Sequence, residues 1–216
     1  PRVEVRFVEG LSANLEKKIA NGEVDFAVVL SDRYNADLVE HEFLREEVYL
    51  CVPEVLLRQY YTPEEIQGIK ERSVQGADLR DFARLPFSLM TNRLGGRIRE
   101  QFRQAGVEPW AFFTGPSTAQ TLPLCASGTA ACFSTNLSLV EQLEQMGEQV
   151  NIFPLMDRGE PMVQRLSLLR HRQRYLTHFA KYFMELLFDS TAALDRIPVL
   201  RVAGGEGAVE KSVENV

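Results

Sequence analysis

The sequence predicts an α/β protein with largely parallel sheets. Apolar runs of strand length alternate with segments of helical period along most of the chain, and several helical segments open on a hydroxyl residue and stop at a glycine.

Val3, Val5 and Phe7 alternate with Glu4 and Arg6, the period of a strand that begins with the chain itself, as expected where more sequence lies upstream. After a turn at Glu9–Gly10, Ser12 is placed to cap a helix carrying Leu11, Leu15 and Ile19, with Gly22 as its stop. Val24–Leu30 is almost continuously apolar, as a parallel strand covered on both faces requires, so the opening reads as a βαβ unit. A further apolar strand, Val48–Val52, ends at Pro53. Thr62–Pro63–Glu64–Glu65 then combines an N-cap, a proline at the first helical position and a capping-box glutamate.

Asp78–Leu85 predicts a short helix and Phe87–Met90 a strand, followed by a helix that reaches Ala105 before Gly106. Trp110–Phe113 is a strand. Ser117–Thr118–Ala119–Gln120 reads as a second capping box, opening a helix towards Gly128 with Pro123 inside it. Strands at Ala130–Ser134, Val150–Leu155 and Val163–Leu169 enclose a helix at Leu137–Met146 stopped by Gly147. Arg174–Phe188 is a long amphipathic helix with Phe179, Phe183, Leu186 and Leu187 on or near its buried stripe. The Gly/Glu-rich tail from Ala203 to Val216 predicts a mobile end.

The bulk numbers exclude several classes of function. With 216 residues, 45% of them hydrophobic, the chain can fill one large domain or two lobes. A net charge of -6 is a poor match for a phosphate backbone, so nucleic-acid binding by this segment alone is disfavoured. No apolar run approaches a membrane span and no signal peptide opens the chain. Three cysteines, an odd number spread over a long chain, argue against a disulfide framework and for a reducing cytoplasm.

Three stretches, in this order, resemble the effector-binding domain of LysR-type transcriptional regulators. They are EGLSANLEKKIANGEVDFAVV within Val3–Leu30, LPFSLMTNRLGGRIREQFRQAG at Leu85–Gly106, and STAQTLPLCASGTAACFS at Ser117–Ser134. The resemblance implies two Rossmann-like lobes of the type 2 periplasmic-binding-protein kind with a ligand cleft. One lobe would take residues 1–83 with 163–216 and the other 84–162. It also implies homodimerisation through this domain, a tetramer in the full-length protein, and DNA contact only through an upstream helix-turn-helix. Tyr60–Ala77 departs from the family pattern in length and charge.

In open α/β sheets, ligands bind beyond the carboxyl ends of strands, where helix N-termini point donors into a crevice. Such ends carry Ser12, then Thr91, Asn92 and Arg93, then Ser117 and Thr118, then Ser134 and Thr135. Hydroxyls donate and accept without burying charge. Each reads equally well as a helix cap, and the family resemblance tips Ser12, Thr91, Ser117 and Thr118 towards ligand contact. Arg93 and Arg97, one turn apart at the positive end of a helix, would suit a carboxylate effector; a solvated basic face shared with Arg99 and Arg103 is the favoured reading. Cys125 and Cys132 read as inert buried thiols rather than a redox switch.

His41, His171 and His178 fall in no catalytic or zinc-binding spacing, and Gly95–Gly96 is no dinucleotide fingerprint. The expectation is therefore a sensor of a small-molecule effector, without cofactor, metal or catalysis. The alternative is the solute-binding protein of a transporter.

Overall fold

The computed structural model describes residues 3–30, 36–191 and 199–204. The chain divides into two compact units. Unit 1 comprises Pro1–Glu46 with Gln164–Arg196, and unit 2 comprises Glu47–Val163 with Ile197–Val216.

In unit 1, α1 (Ser12–Asn21) ends where predicted, with Gly22 left-handed at φ 75° and its N–H returned to the helix carbonyls. The strand β1 (Phe26–Leu30) pairs with β9 (Val163–His171) in antiparallel register, Phe26 opposite Arg170. This corrects the parallel expectation: a continuous apolar run does not encode the direction of its neighbour. β9 in turn lies beside β2 (Leu38–Pro53), and among the described residues β1 stands at the edge, with Val28 exposed. Ile19, Val29, Leu38 and Leu169 form the small core, which α1 covers. α7 (His178–Thr191) stacks Phe183 on Phe26 at 5.8 Å and sets Phe188 edge-on to Phe43 at 5.7 Å.

The alternating segment at Val3–Phe7 forms no strand, and Phe7 is 85% exposed. Alternation supplies one apolar face, but a strand also needs a hydrogen-bonding neighbour, and among the described residues none pairs with it. Phe179 and Leu186 are likewise exposed rather than buried in the stripe expected of them.

Unit 2 is a mixed sheet in the order β6 (Val150–Pro154), β2, β5 (Ala131–Thr135), β3 (Pro86–Met90), β4 (Trp110–Gly115). β3 runs parallel to β4 and β5, while β2 is antiparallel to both β5 and β6. Met156–Asp157 (β7) and Glu160–Pro161 (β8) form a small separate hairpin.

Strand alternation sorts the two faces. Leu50, Phe87, Phe133 and Phe153 point to one side, under α2 (Glu54–Tyr60), α3 (Pro63–Ser73) and α4 (Arg93–Ala105). Tyr49, Cys51, Cys132 and Ile152 point to the other, under α5 (Thr118–Ala126) and α6 (Asn136–Gln142). Phe87, Phe102 and Phe133 are in mutual ring contact at 5.0–5.9 Å at the centre of the first face.

The capping box of α3 forms as read: Glu65 N–H donates to the Thr62 hydroxyl at 3.3 Å, and Thr62 N–H to the Glu65 carboxylate at 2.8 Å. The helix expected at Asp78–Leu85 is a 3-10 turn, Leu79–Phe82, and α6 is shorter than expected. α2 follows Pro53 with no pattern in the sequence that announced it. Ala203, expected in a mobile tail, is buried on unit 2. Residues 205–216 of that tail lie outside the described residues.

Candidate functional site

The parallel strands β3, β4 and β5 present their carboxyl ends side by side in unit 2, and seven of the predicted site residues stand there, Thr135 as the last residue of β5. Thr91 N–H donates to the Gly115 carbonyl at 2.8 Å. The Asn92 amide donates to the Pro116 carbonyl at 3.2 Å, so the turns after β3 and β4 are stitched together. Thr91, Asn92 and Arg93 are thereby held beside Ser117 and Thr118. Ser134 lies at the same end of β5, the strand on the other side of β3. Ser12 belongs to unit 1.

Asn92 is a helix cap: its Oδ1 accepts from Gly95 N–H at 3.0 Å. Ser117 is not. Its hydroxyl takes no capping bond, and the Gln120 side-chain oxygen lies against Gly115 instead of reaching back, so the second capping box does not form. The α5 N-terminus therefore opens with the half-buried Ser117 and Thr118 and no side-chain cap. Ser12 does not cap α1 either, because Leu11 occupies the N-cap position.

The arginines divide. Arg97 donates to the Val163 carbonyl and approaches Asp157 at 4.0 Å. Arg99 donates to the Met90 carbonyl at 2.6 Å, and Arg103 pairs with Glu100. Arg97, Arg99 and Arg103 are thus tied to backbone or carboxylate, so neither a free carboxylate clamp at Arg97 nor a uniformly solvated face describes them. Arg93 is exposed at the first position of α4.

Beneath α5 the sheet carries two buried hydroxyls with no partner among the described residues, Ser134 Oγ and Ser88 Oγ. Ser88 sits opposite Cys132, on the face that packs α5. Thr121, fully buried on α5, spends its hydroxyl on the Thr118 carbonyl at 3.4 Å. An unpaired buried hydroxyl costs about 1–3 kcal/mol, and such a cost usually marks water or a ligand group. Sequence reasoning missed Ser88; its signal was a single hydroxyl in the apolar run Leu85–Met90.

All three cysteines meet on this face. Cys51 and Cys132 are direct cross-strand partners, and the Cys125 thiol lies 3.5 Å from the Cys51 carbonyl oxygen. The Cys132 side chain and burial raise the Cys51 thiol well above its ordinary 9.0, and burial raises Cys125. Among the described residues no group of three or more His, Cys, Asp or Glu side chains is arranged to hold a metal ion, and no helix is long and apolar enough to cross a membrane.

This geometry, hydroxyls and helix N-termini at the carboxyl ends of parallel strands, is that of a small-molecule binding domain. The family follows from the sequence match: residues 1–192 match the LysR substrate binding domain, and the chain belongs to that family. It is 26% identical over 225 residues to the uncharacterized HTH-type transcriptional regulator YcgK of Bacillus subtilis (strain 168), covering all of this chain and 64% of that protein's length. Two similar solved structures show the same fold. The effector binding domain of QuiR in complex with shikimate has a TM-score of 0.61 at 14% identity, covering 85% of this chain and 79% of that one. The Synechocystis PCC6803 CcmR regulatory domain in complex with 2-PG has a TM-score of 0.63 at 14% identity, covering 84% and 80%. The family assignment favours the regulator reading over that of a transporter's solute-binding protein.

Proposed function

We infer that this domain senses a small-molecule effector for a LysR-type transcriptional regulator and does no chemistry itself. The observation that carries the reading is the carboxyl edge of β3, β4 and β5. There Thr91 and Asn92 stand beside Ser117 and Thr118 at an α5 N-terminus without a side-chain cap, and Ser134, at the carboxyl end of β5, has a buried hydroxyl with no partner among the described residues. Backbone N–H groups at a helix N-terminus favour an anion or a carbonyl oxygen, so the effector class proposed is a small carboxylate or another oxygen-rich acid. Shikimate on QuiR and 2-PG on CcmR support that class by likeness. Arg93 supplies positive charge at the rim. Ser12 rests on the family resemblance.

The proposed partners of the whole protein are a second copy of this domain and DNA reached through a separate helix-turn-helix. At a net charge of -6 this domain alone binds no duplex DNA at physiological salt. Calorimetry and thermal shift against small carboxylates, with shikimate and 2-PG among the probes, test the reading. A true effector at a hundredfold over its Kd adds about 2.7 kcal/mol of stability. A shift that survives unchanged in Thr118→Ala and Ser117→Ala would move the site elsewhere.

A further inference from the structure

β2 runs antiparallel to β5, with Val48 opposite Thr135 and Cys51 opposite Cys132. Pro53, where β2 ends, therefore stands at the amino end of β5, the end of the unit 2 sheet away from Thr91 and Ser117. A hollow of about 240 Å³ opens there between α2 and the turn that follows α5. Glu54, Val55, Arg58, Ser127, Gly128 and Val150 line most of it.

Glu54 gives the hollow its chemistry. The residue is 6% exposed, and its two carboxylate oxygens are used unequally. Oε2 accepts from Asn151 Nδ2 at 3.0 Å and pairs with Lys70 Nζ at 2.8 Å, and neither of those residues lines the hollow. Oε1 has Arg58 Nε at 3.4 Å, longer than the roughly 2.7–2.9 Å of a well-formed charge-assisted bond. Arg58 does line the hollow, and its side chain is 69% exposed. The carboxylate is thus satisfied from the interior on one oxygen and loosely held from the hollow on the other.

α5 ends at the same place. Its C-cap is Ser127 and its last turn carries no basic residue, so the negative end of the helix adds to the carboxylate. Val55 and Val150 add apolar surface beside the charge. Negative potential next to an apolar wall suits an organic cation and disfavours an acid.

We propose that this hollow is a second binding site of the domain, for a small organic cation. A guanidinium or primary ammonium group donates to Glu54 Oε1 in place of Arg58, and its alkyl part lies against Val55 and Val150. Arg58 competes for the same oxygen. The site stands apart from the carboxyl edge of β3, β4 and β5 and does not rest on the reading of that edge.

Amide chemical shifts of the ¹⁵N-labelled 216-residue chain, titrated with methylguanidine and n-butylamine, test this. The expected result is saturable shifts at Val55, Gly128 and Gln149, and none with methylurea, which keeps the shape of methylguanidine without its charge. Arg58→Ala removes the competitor and should bind about threefold tighter or more, while Glu54→Gln should bind about tenfold weaker or more. Ser117→Ala and Thr118→Ala should bind as the parent chain does, which separates this site from the effector edge. If Glu54→Gln does not fold, Val55→Trp decides, because it fills the hollow, keeps the carboxylate and should lose the shifts. Methylurea that binds as well as methylguanidine overturns the proposal. So does an Arg58→Ala variant that binds no tighter, a Glu54→Gln variant that binds as before, or loss of binding in Ser117→Ala.

Discussion

Gly95 lies against the carbonyl oxygen of Met90 so closely that a β-carbon built on it would stand 1.8 Å away. The same carbonyl accepts from the Arg99 guanidinium at 2.6 Å. The last residue of β3 is thus gripped by the first turns of α4, and this contact fixes where Thr91 and Asn92 stand.

Gly95→Ala should therefore push α4 off β3 and destabilise unit 2 by about 1–3 kcal/mol or more, since the clash is with backbone and not with a flexible side chain. Gly96, its neighbour, has nothing within 4 Å of a built β-carbon. Gly96→Ala should gain about 0.5–1 kcal/mol from helix propensity alone. Urea denaturation of the two variants gives opposite signs; equal stability would refute the close docking of α4.

The hydroxyls at the strand ends separate by the same kind of comparison. Asn92 caps α4, so Asn92→Ala should lose about 1 kcal/mol of fold stability. Ser117 makes no capping bond, so Ser117→Ala should leave stability within about 0.5 kcal/mol. If Ser117 and Thr118 touch the effector, Ser117→Ala and Thr118→Ala should instead weaken binding roughly tenfold. Denaturation and calorimetry on the same proteins check both. A Ser117→Ala variant that loses stability and keeps its affinity would make that residue a cap after all.

The thiol cluster should be silent in the folded protein. Cys51, Cys125 and Cys132 are fully buried, and all three thiols sit above their ordinary 9.0: the Cys125 side chain raises Cys132, the Cys132 side chain raises Cys51, and burial raises Cys125. Little thiolate is therefore available to an oxidant at neutral pH. Because the folded values are raised, the contribution to stability is complete below about pH 9 and is lost as pH climbs through the folded values. A thiol reagent should label the native chain only at the rate of opening, and Cys125→Ala or Cys132→Ala should leave ligand response unchanged with or without peroxide. Reversible peroxide-driven disulfide formation would contradict this.

How far the sequence reached depends on whether each signal was local. The Thr62–Glu65 capping box is settled within four residues, and it forms. The Ser117–Gln120 pattern looks the same on paper and fails, because the Gln120 side chain finds room beside Gly115, a contact no window of sequence contains. The antiparallel pairing of β1 with β9 depends on a segment more than a hundred residues away. Val3–Phe7 had the right alternation and, among the described residues, no neighbour to pair with. Most of the candidate site was legible, since hydroxyls after parallel strands are a positional rule. Ser88 was not, since its significance lies in facing Cys132 and α5.

The Glu54 carboxylate offers the sharpest test of the polar chemistry in unit 2. It is almost fully buried, and burial pushes its pKa up, but Asn151 at 3.0 Å, Lys70 at 2.8 Å and Arg58 together hold it below the ordinary 4.5. A lowered folded value means its stabilisation is present above about pH 4.5 and is lost as pH falls through the folded value. Glu54→Gln should flatten that acid limb. The two cations should differ sharply. Lys70 is largely buried, and Lys70→Met leaves the carboxylate without its nearest charge, a loss on the order of 3–5 kcal/mol. The Arg58 side chain is 69% exposed and bonds at 3.4 Å, so Arg58→Ala should cost no more than about 1 kcal/mol. Urea midpoints at pH 7 and pH 4 measure all three variants, and a Lys70→Met variant no weaker than Arg58→Ala would show that the buried pair does not hold this corner of the sheet.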